Sequence, residues 1–109
     1  MPLIARGFAT AIVATNHAGS PGCVGPSEQT SNLCSPNVFV EGVGVVRLGD
    51  IMNSHATPSN LCLPHAPALA TASSNVFANN IAVGRITDTY AGPGTHVITD
   101  VGQTTVTAN

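Results

Sequence analysis

Four histidines, His17, His55, His65 and His96, and three cysteines, Cys23, Cys34 and Cys62, are the side chains of this 109-residue sequence best suited to hold a metal ion. Imidazole and thiolate are the ligands zinc prefers, about four of them in a tetrahedron at roughly 2.0–2.3 Å. Cys62-Leu63-Pro64-His65 has a C-x-x-H spacing that offers a thiolate beside an imidazole. Ser-Asn-Leu-Cys, however, occurs twice, at 31–34 and 59–62, which points to like roles for Cys34 and Cys62, packed or bridged. Three cysteines cannot all pair within one chain, so a disulfide framework is excluded while a single bridge is not.

Hydrolytic chemistry at such a metal needs a base and an open coordination position. The five acids are Glu28, Glu41, Asp50, Asp88 and Asp100, with no H-E-x-x-H and no clustered pair. Four protein ligands would fill the coordination sphere of zinc. A structural ion in a non-enzyme is therefore the leading reading, and a small metal-dependent hydrolase the alternative.

Bringing the histidines together requires a repeat. Residues 35–50 (SPNVFVEGVGVVRLGD) align without gaps on 73–88 (SSNVFANNIAVGRITD), with seven identities in sixteen positions. Each copy reads as a β-hairpin whose two-residue turn is Glu41-Gly42 or Asn79-Asn80, and whose second run ends in Arg-x-x-Asp. A third copy is split between the chain ends: 104–109 matches 74–79, and 1–6 matches 80–85. Counted round the closed circle, the intervals from Arg6 to Arg47, to Arg85 and back are 41, 38 and 30 residues. The expectation is one domain, 1–109, of all-β class: a small conical pseudo-threefold repeat of hairpins with almost no helix, Asn109 lying beside Met1. The sequence leaves open whether the arginines pair with Asp50 and Asp88 or face a partner.

All four histidines fall in the Gly, Pro, Ser and Asn-rich stretches 14–36, 51–72 and 89–103 that follow each arginine. His17 and His96 lie eleven residues beyond their arginine, and His55 eight beyond its own. In a ring of three, those loops meet at one end, so His17, His55, His65 and His96 are expected to share one Zn²⁺ ion at the apex.

Composition agrees. Hydrophobic residues are 43% of the chain and mean hydropathy is +0.27, but aromatics are only 4% and there is no Trp. A core of small side chains has little to bury, and a metal compensates. Phe39 and Phe77, being repeat-equivalent, are candidate core residues. With three arginines and no lysine, electrostatics argue against nucleic acid and anionic membrane surfaces as partners. The apolar run within residues 1–15 is too short and too diluted by Thr for a secretion signal, and nothing approaches the roughly 18 apolar residues of a membrane span.

The repeated V-F-V-x-G-x-x-x-x-R-x-G-D unit with loop histidines resembles the PAAR-repeat proteins. The Pro-Ala-Ala-Arg stretch that names the family has its counterparts in Pro2–Arg6, Val43–Arg47 and Ile81–Arg85. The resemblance implies a pointed tip that caps the trimeric β-helical spike of a contractile injection machine, a phage tail or a type VI secretion system. It places the protein at a virion baseplate, or in the cytoplasm before export. It implies one monomer per trimer, bound at the cone base, with a target membrane touched only mechanically; because the repeats take up both ends of the sequence, any cargo is expected to be held non-covalently. It also implies zinc near the apex, with iron a lesser candidate. Carried over by position, the ligands are His17, His55 and His65. The family commonly supplies a fourth, Cys, from the loop after Asp88, where this chain has His96 instead.

Overall fold

Three short runs, Ile4-Ala5-Arg6, Val45-Val46-Arg47 and Val83-Gly84-Arg85, close into a ring about a pseudo-threefold axis. In this computed structural model, which describes residues 1–15, 28–56, 64–92 and 95–109, every arginine pairs with the residue two before the next arginine. The antiparallel bridges are Arg6 with Val45, Arg47 with Val83, and Arg85 with Ile4. The middle residues join in a cycle: Ala5 N–H donates to Gly84 O (2.9 Å), Gly84 N–H to Val46 O (2.8 Å) and Val46 N–H to Ala5 O (3.0 Å). A second cycle lies outside it, from Gly7 to Gly44 (2.9 Å), Leu48 to Ala82 (2.8 Å) and Ile86 to Leu3 (2.8 Å). Backbone groups that cannot pair along one short strand are thus satisfied around the axis.

Nine strands are found among the described residues, and no helix: β1 (Ile12–Thr15), β2 (Glu28–Thr30), β3 (Phe39–Val40), β4 (Val43–Gly44), β5 (His55–Ala56), β6 (Pro64–His65), β7 (Phe77–Ala78), β8 (Ile81–Ala82) and β9 (His96–Asp100). β3 pairs with β4, and β7 with β8, as the two complete hairpins. The third is the split one. Leu3 bridges Thr107, Ile4 N–H donates to Val106 O (2.9 Å), and Ala108 N–H donates to Pro2 O (2.9 Å).

The turns explain the hairpins. Glu41 and Gly42 both have positive φ (49° and 80°), as do Asn79 and Asn80 (56° and 63°), the signature of a type I′ turn. Glu is poorly suited to that backbone region, whereas Asn enters it readily. Glu41→Asn is therefore expected to stabilise the fold by about 0.5–1 kcal/mol, read as a raised urea midpoint with unchanged m-value.

Alternation sorts the side chains. The residues two before each arginine, Ile4, Val45 and Val83, meet Val40, Ala78 and Ala108 from the hairpins in one buried, near-symmetric cluster. Ala5 and Val46, one residue on, face the opposite way into a larger cluster with Ala11, Val13, Met52, Leu69, Tyr90, Ile98 and Val101. Phe39 and Phe77 do not join either core. They are 57% and 58% exposed, because each is the residue before the inward-facing one in a two-residue strand, and successive side chains point to opposite faces.

Close approach makes Gly44 necessary. A Cβ on Gly44 would sit 2.2 Å from the Ser35 backbone oxygen and 2.8 Å from Cys34 Sγ. Gly44→Ala is expected to destabilise by about 1–3 kcal/mol through a forced backbone shift, measurable by chemical denaturation.

On the far side of the ring from the hairpins, the chain makes three excursions, one after each arginine. The first carries β1 and β2, the second β5 and β6, and the third returns through β9. Neighbouring excursions are stitched in a circle: β9 pairs with β1, Ser31 bridges Met52, and Leu69 bridges Tyr90. The molecule is elongated, 40 × 23 × 22 Å.

Candidate metal centre

Two of the three arginines, Arg47 and Arg85, pair with Asp50 and Asp88. Arg47 Nε and Nη2 donate to Asp50 Oδ2 (3.0 Å) and Oδ1 (3.1 Å), and Arg85 Nε and Nη2 donate to Asp88 Oδ2 (2.9 Å) and Oδ1 (3.0 Å). The same Oδ2 accepts the arginine's own backbone N–H in both repeats, at 2.9 and 2.8 Å. These hydrogen bonds push both guanidinium groups further above their ordinary pKa. The pairs lock the turn from which each following excursion starts.

His55 and His65 are directly opposed across the β5–β6 pair, so their side chains share one face. His96 opens β9, where it pairs with Thr15 of β1, and its carbonyl accepts the Tyr90 N–H (2.9 Å). Tyr90 and Ile98 are buried core residues, so the start of β9 is anchored from beneath. Burial pushes the Tyr90 hydroxyl far above its ordinary pKa, with the Asp50 charge adding to the effect.

The three imidazoles converge through their Nε2 atoms. His55 Nε2 lies 2.9 Å from His65 Nε2 and 3.1 Å from His96 Nε2. One ligand atom from each falls within 4.8 Å of the others. The rings stand at 56–68° to one another, with centroids 4.4–5.2 Å apart. Tetrahedral Zn–N bonds of about 2.0–2.1 Å place ligand nitrogens about 3.3 Å apart, so the set fits one small cation with little adjustment. His96 is buried (1% exposed), and His55 and His65 are half-buried.

A tautomer argument supports the fit. His55 Nδ1 is 2.9 Å from Asn53 O, and a carbonyl only accepts, so Nδ1 carries the proton and Nε2 of the neutral ring offers a lone pair. That is the usual outer hydrogen bond of a metal-binding histidine. Asn53 is itself held: its N–H donates to Thr30 O (3.0 Å), its Nδ2 donates to Gln29 Oε1 (2.8 Å), and its Oδ1 accepts Thr30 N–H (3.3 Å). Reading of the sequence missed both Asn53 and Gln29, which carry no motif and act only through cross-strand partners.

Of the four expected ligands, the structure brings together His55, His65 and His96. His17, Cys23 and Cys62 lie outside the described residues. Cys34 is a free, half-buried thiol against Gly7 and Gly44, apart from the histidines, and burial raises its pKa. Three close histidines could hold a metal ion, and imidazole alone does not choose the element. Among the described residues no carboxylate joins the group. No family model and no curated protein matches this chain.

Proposed function

We propose that this protein is a metal-stabilised spike tip: a pointed cap whose ring side sits on a trimeric β-helical spike and whose excursions form the piercing end. The observation that carries the reading is a closed pseudo-threefold ring made by one chain, with imidazoles from two separate excursions meeting beyond it. Threefold shape in a monomer matches a threefold partner without symmetry mismatch. The hairpin side also exposes apolar residues, Phe39, Phe77, Val38 and Val106 among them, suited to burial against a partner.

In this reading the ion is structural and zinc is the expected element. The fourth ligand expected in this reading is His17, which in sequence stands two residues beyond Thr15, the cross-strand partner of His96. The protein acts by binding and stiffness, at a baseplate or as a secreted tip, and touches the target membrane only mechanically. Purification without added metal, followed by elemental analysis, is expected to return about one ion per chain. Native mass spectrometry with a trimeric β-helical spike is expected to give one chain per trimer. Well under one equivalent of metal, or no complex, overturns the reading.

One observation favours the hydrolase alternative. The group found among the described residues is three histidines, which is also the protein donor set of carbonic anhydrase zinc, where water takes the fourth position. A water in the fourth position of the metal-loaded protein would support it, and His17 there would exclude it.

A further inference from the structure

Arg6 breaks the repeat's pattern of charge. Three residues beyond Arg47 and Arg85 stand Asp50 and Asp88, each taking the guanidinium in a two-pronged ion pair. Three residues beyond Arg6 stands Ala9. The turn itself has changed, with Phe8 and Ala9 both at positive φ (49° and 65°).

Arg6 nevertheless stays inside, only 8% exposed. Its Nη2 donates to Gly102 O (2.9 Å), and its Nη1 makes two long contacts, to Val40 O and Glu41 O (both 3.4 Å). Its Nε is buried and has no hydrogen-bond partner among the described residues. In the other two repeats Nε is the atom that binds the aspartate Oδ2. Carbonyl dipoles solvate a guanidinium without neutralising it, and a buried cation with an unmet N–H is costly unless an anion accompanies it.

We infer that Arg6 is an anion site: a small free monoanion of carboxylate or halide type sits against Arg6 Nε, in the place Asp50 and Asp88 fill for Arg47 and Arg85. The occupant must be small, because no pocket opens among the described residues. A negative charge answers both needs at once, accepting from Nε–H and neutralising a guanidinium that has only carbonyl partners. This site is independent of the histidine cluster and of the spike-tip reading.

The composition makes the test clean. Arg6, Arg47 and Arg85 are the only arginines and there is no lysine, so a ¹H–¹⁵N spectrum of the full chain shows three Nε–H resonances. The Arg6 resonance is assigned by its through-space contacts to Gly102. Sodium formate, and separately sodium chloride, is titrated at constant ionic strength maintained with sodium gluconate, whose anion is too large for the site. The expected result is a saturable shift of the Arg6 resonance alone with at least one of the two small anions. No shift, or three resonances moving alike, overturns the proposal. In Ala9→Asp, the new carboxylate is expected to compete with formate and weaken its apparent affinity at least tenfold. An unchanged formate titration in that variant counts equally against it.

Discussion

Replacing His55 by Ala is expected to take the protein from about one bound metal ion per chain to almost none. His55 is the central member of the cluster, its Nε2 within 3.1 Å of both other Nε2 atoms. It is also the ring oriented by the Asn53 carbonyl. A ligand held a thousandfold above its dissociation constant stabilises the folded state by about 4 kcal/mol. With about 4–8 °C per kcal/mol for a domain near this size, the melting temperature falls on the order of 20 °C. Chelator added to the wild-type chain is expected to give the same fall, and to leave the variant unmoved. A variant that keeps its metal, or a chelator without effect on either chain, would remove the ion from the list of what holds the fold together.

Asp88→Ala is the second large effect, about 3 kcal/mol of destabilisation in urea unfolding. Asp88 is 5% exposed at its side chain and serves four donors: Arg85 N–H, Nε and Nη2, and the Thr71 hydroxyl at 3.0 Å. Its loss strands a partly buried guanidinium and frees the turn that launches the third excursion. Much of that cost is the unpaired charge rather than the pair's own worth. The double variant Arg85→Ala/Asp88→Ala is therefore expected to recover part of the loss, which a double-mutant cycle reads as coupling. Strict additivity would mean that the pair does not act as a unit.

Much of this architecture is local chemistry, and local chemistry is visible in a sequence. Asn79-Asn80 and Glu41-Gly42 mark I′ turns because few residues accept two successive positive φ angles. The identities between 35–50 and 73–88 mark a repeat, and the match of 104–109 with 74–79 closes it, as the Leu3–Thr107 bridge shows. The histidines could be expected to meet because each follows its arginine round a ring.

Other parts were not legible, and Gln103 shows why. In two repeats Ser35 and Ser73 accept backbone N–H groups two and three residues ahead. In the third, Gln103 Oε1 accepts Thr105 and Val106 N–H at 2.8 and 2.9 Å, while its Nε2 donates to Ile4 O at 2.9 Å. The equivalent carbonyls, Val45 O and Val83 O, instead accept the backbone N–H of Ser35 and Ser73. One longer amide side chain performs two tasks that elsewhere need a hydroxyl and a backbone group, so the repeat persists in hydrogen bonds where it has vanished in letters.

The exposure of Phe39 and Phe77 likewise depends on which face of a two-residue strand meets the core, and that is set by the hairpins and the ring together. Sequence alone determined the turns and the repeat, because these depend on residue types within a few positions of one another and on their recurrence, and it singled out His55, His65 and His96 among the side chains that could hold an ion. Tertiary structure alone decided that His55 faces His65 across one strand pair and that His96 reaches them from another excursion. It also decided that Asn53 orients His55 and that no carboxylate among the described residues pairs with Arg6. Each of these is a contact between segments far apart in the chain, and its geometry exists only once the ring has closed.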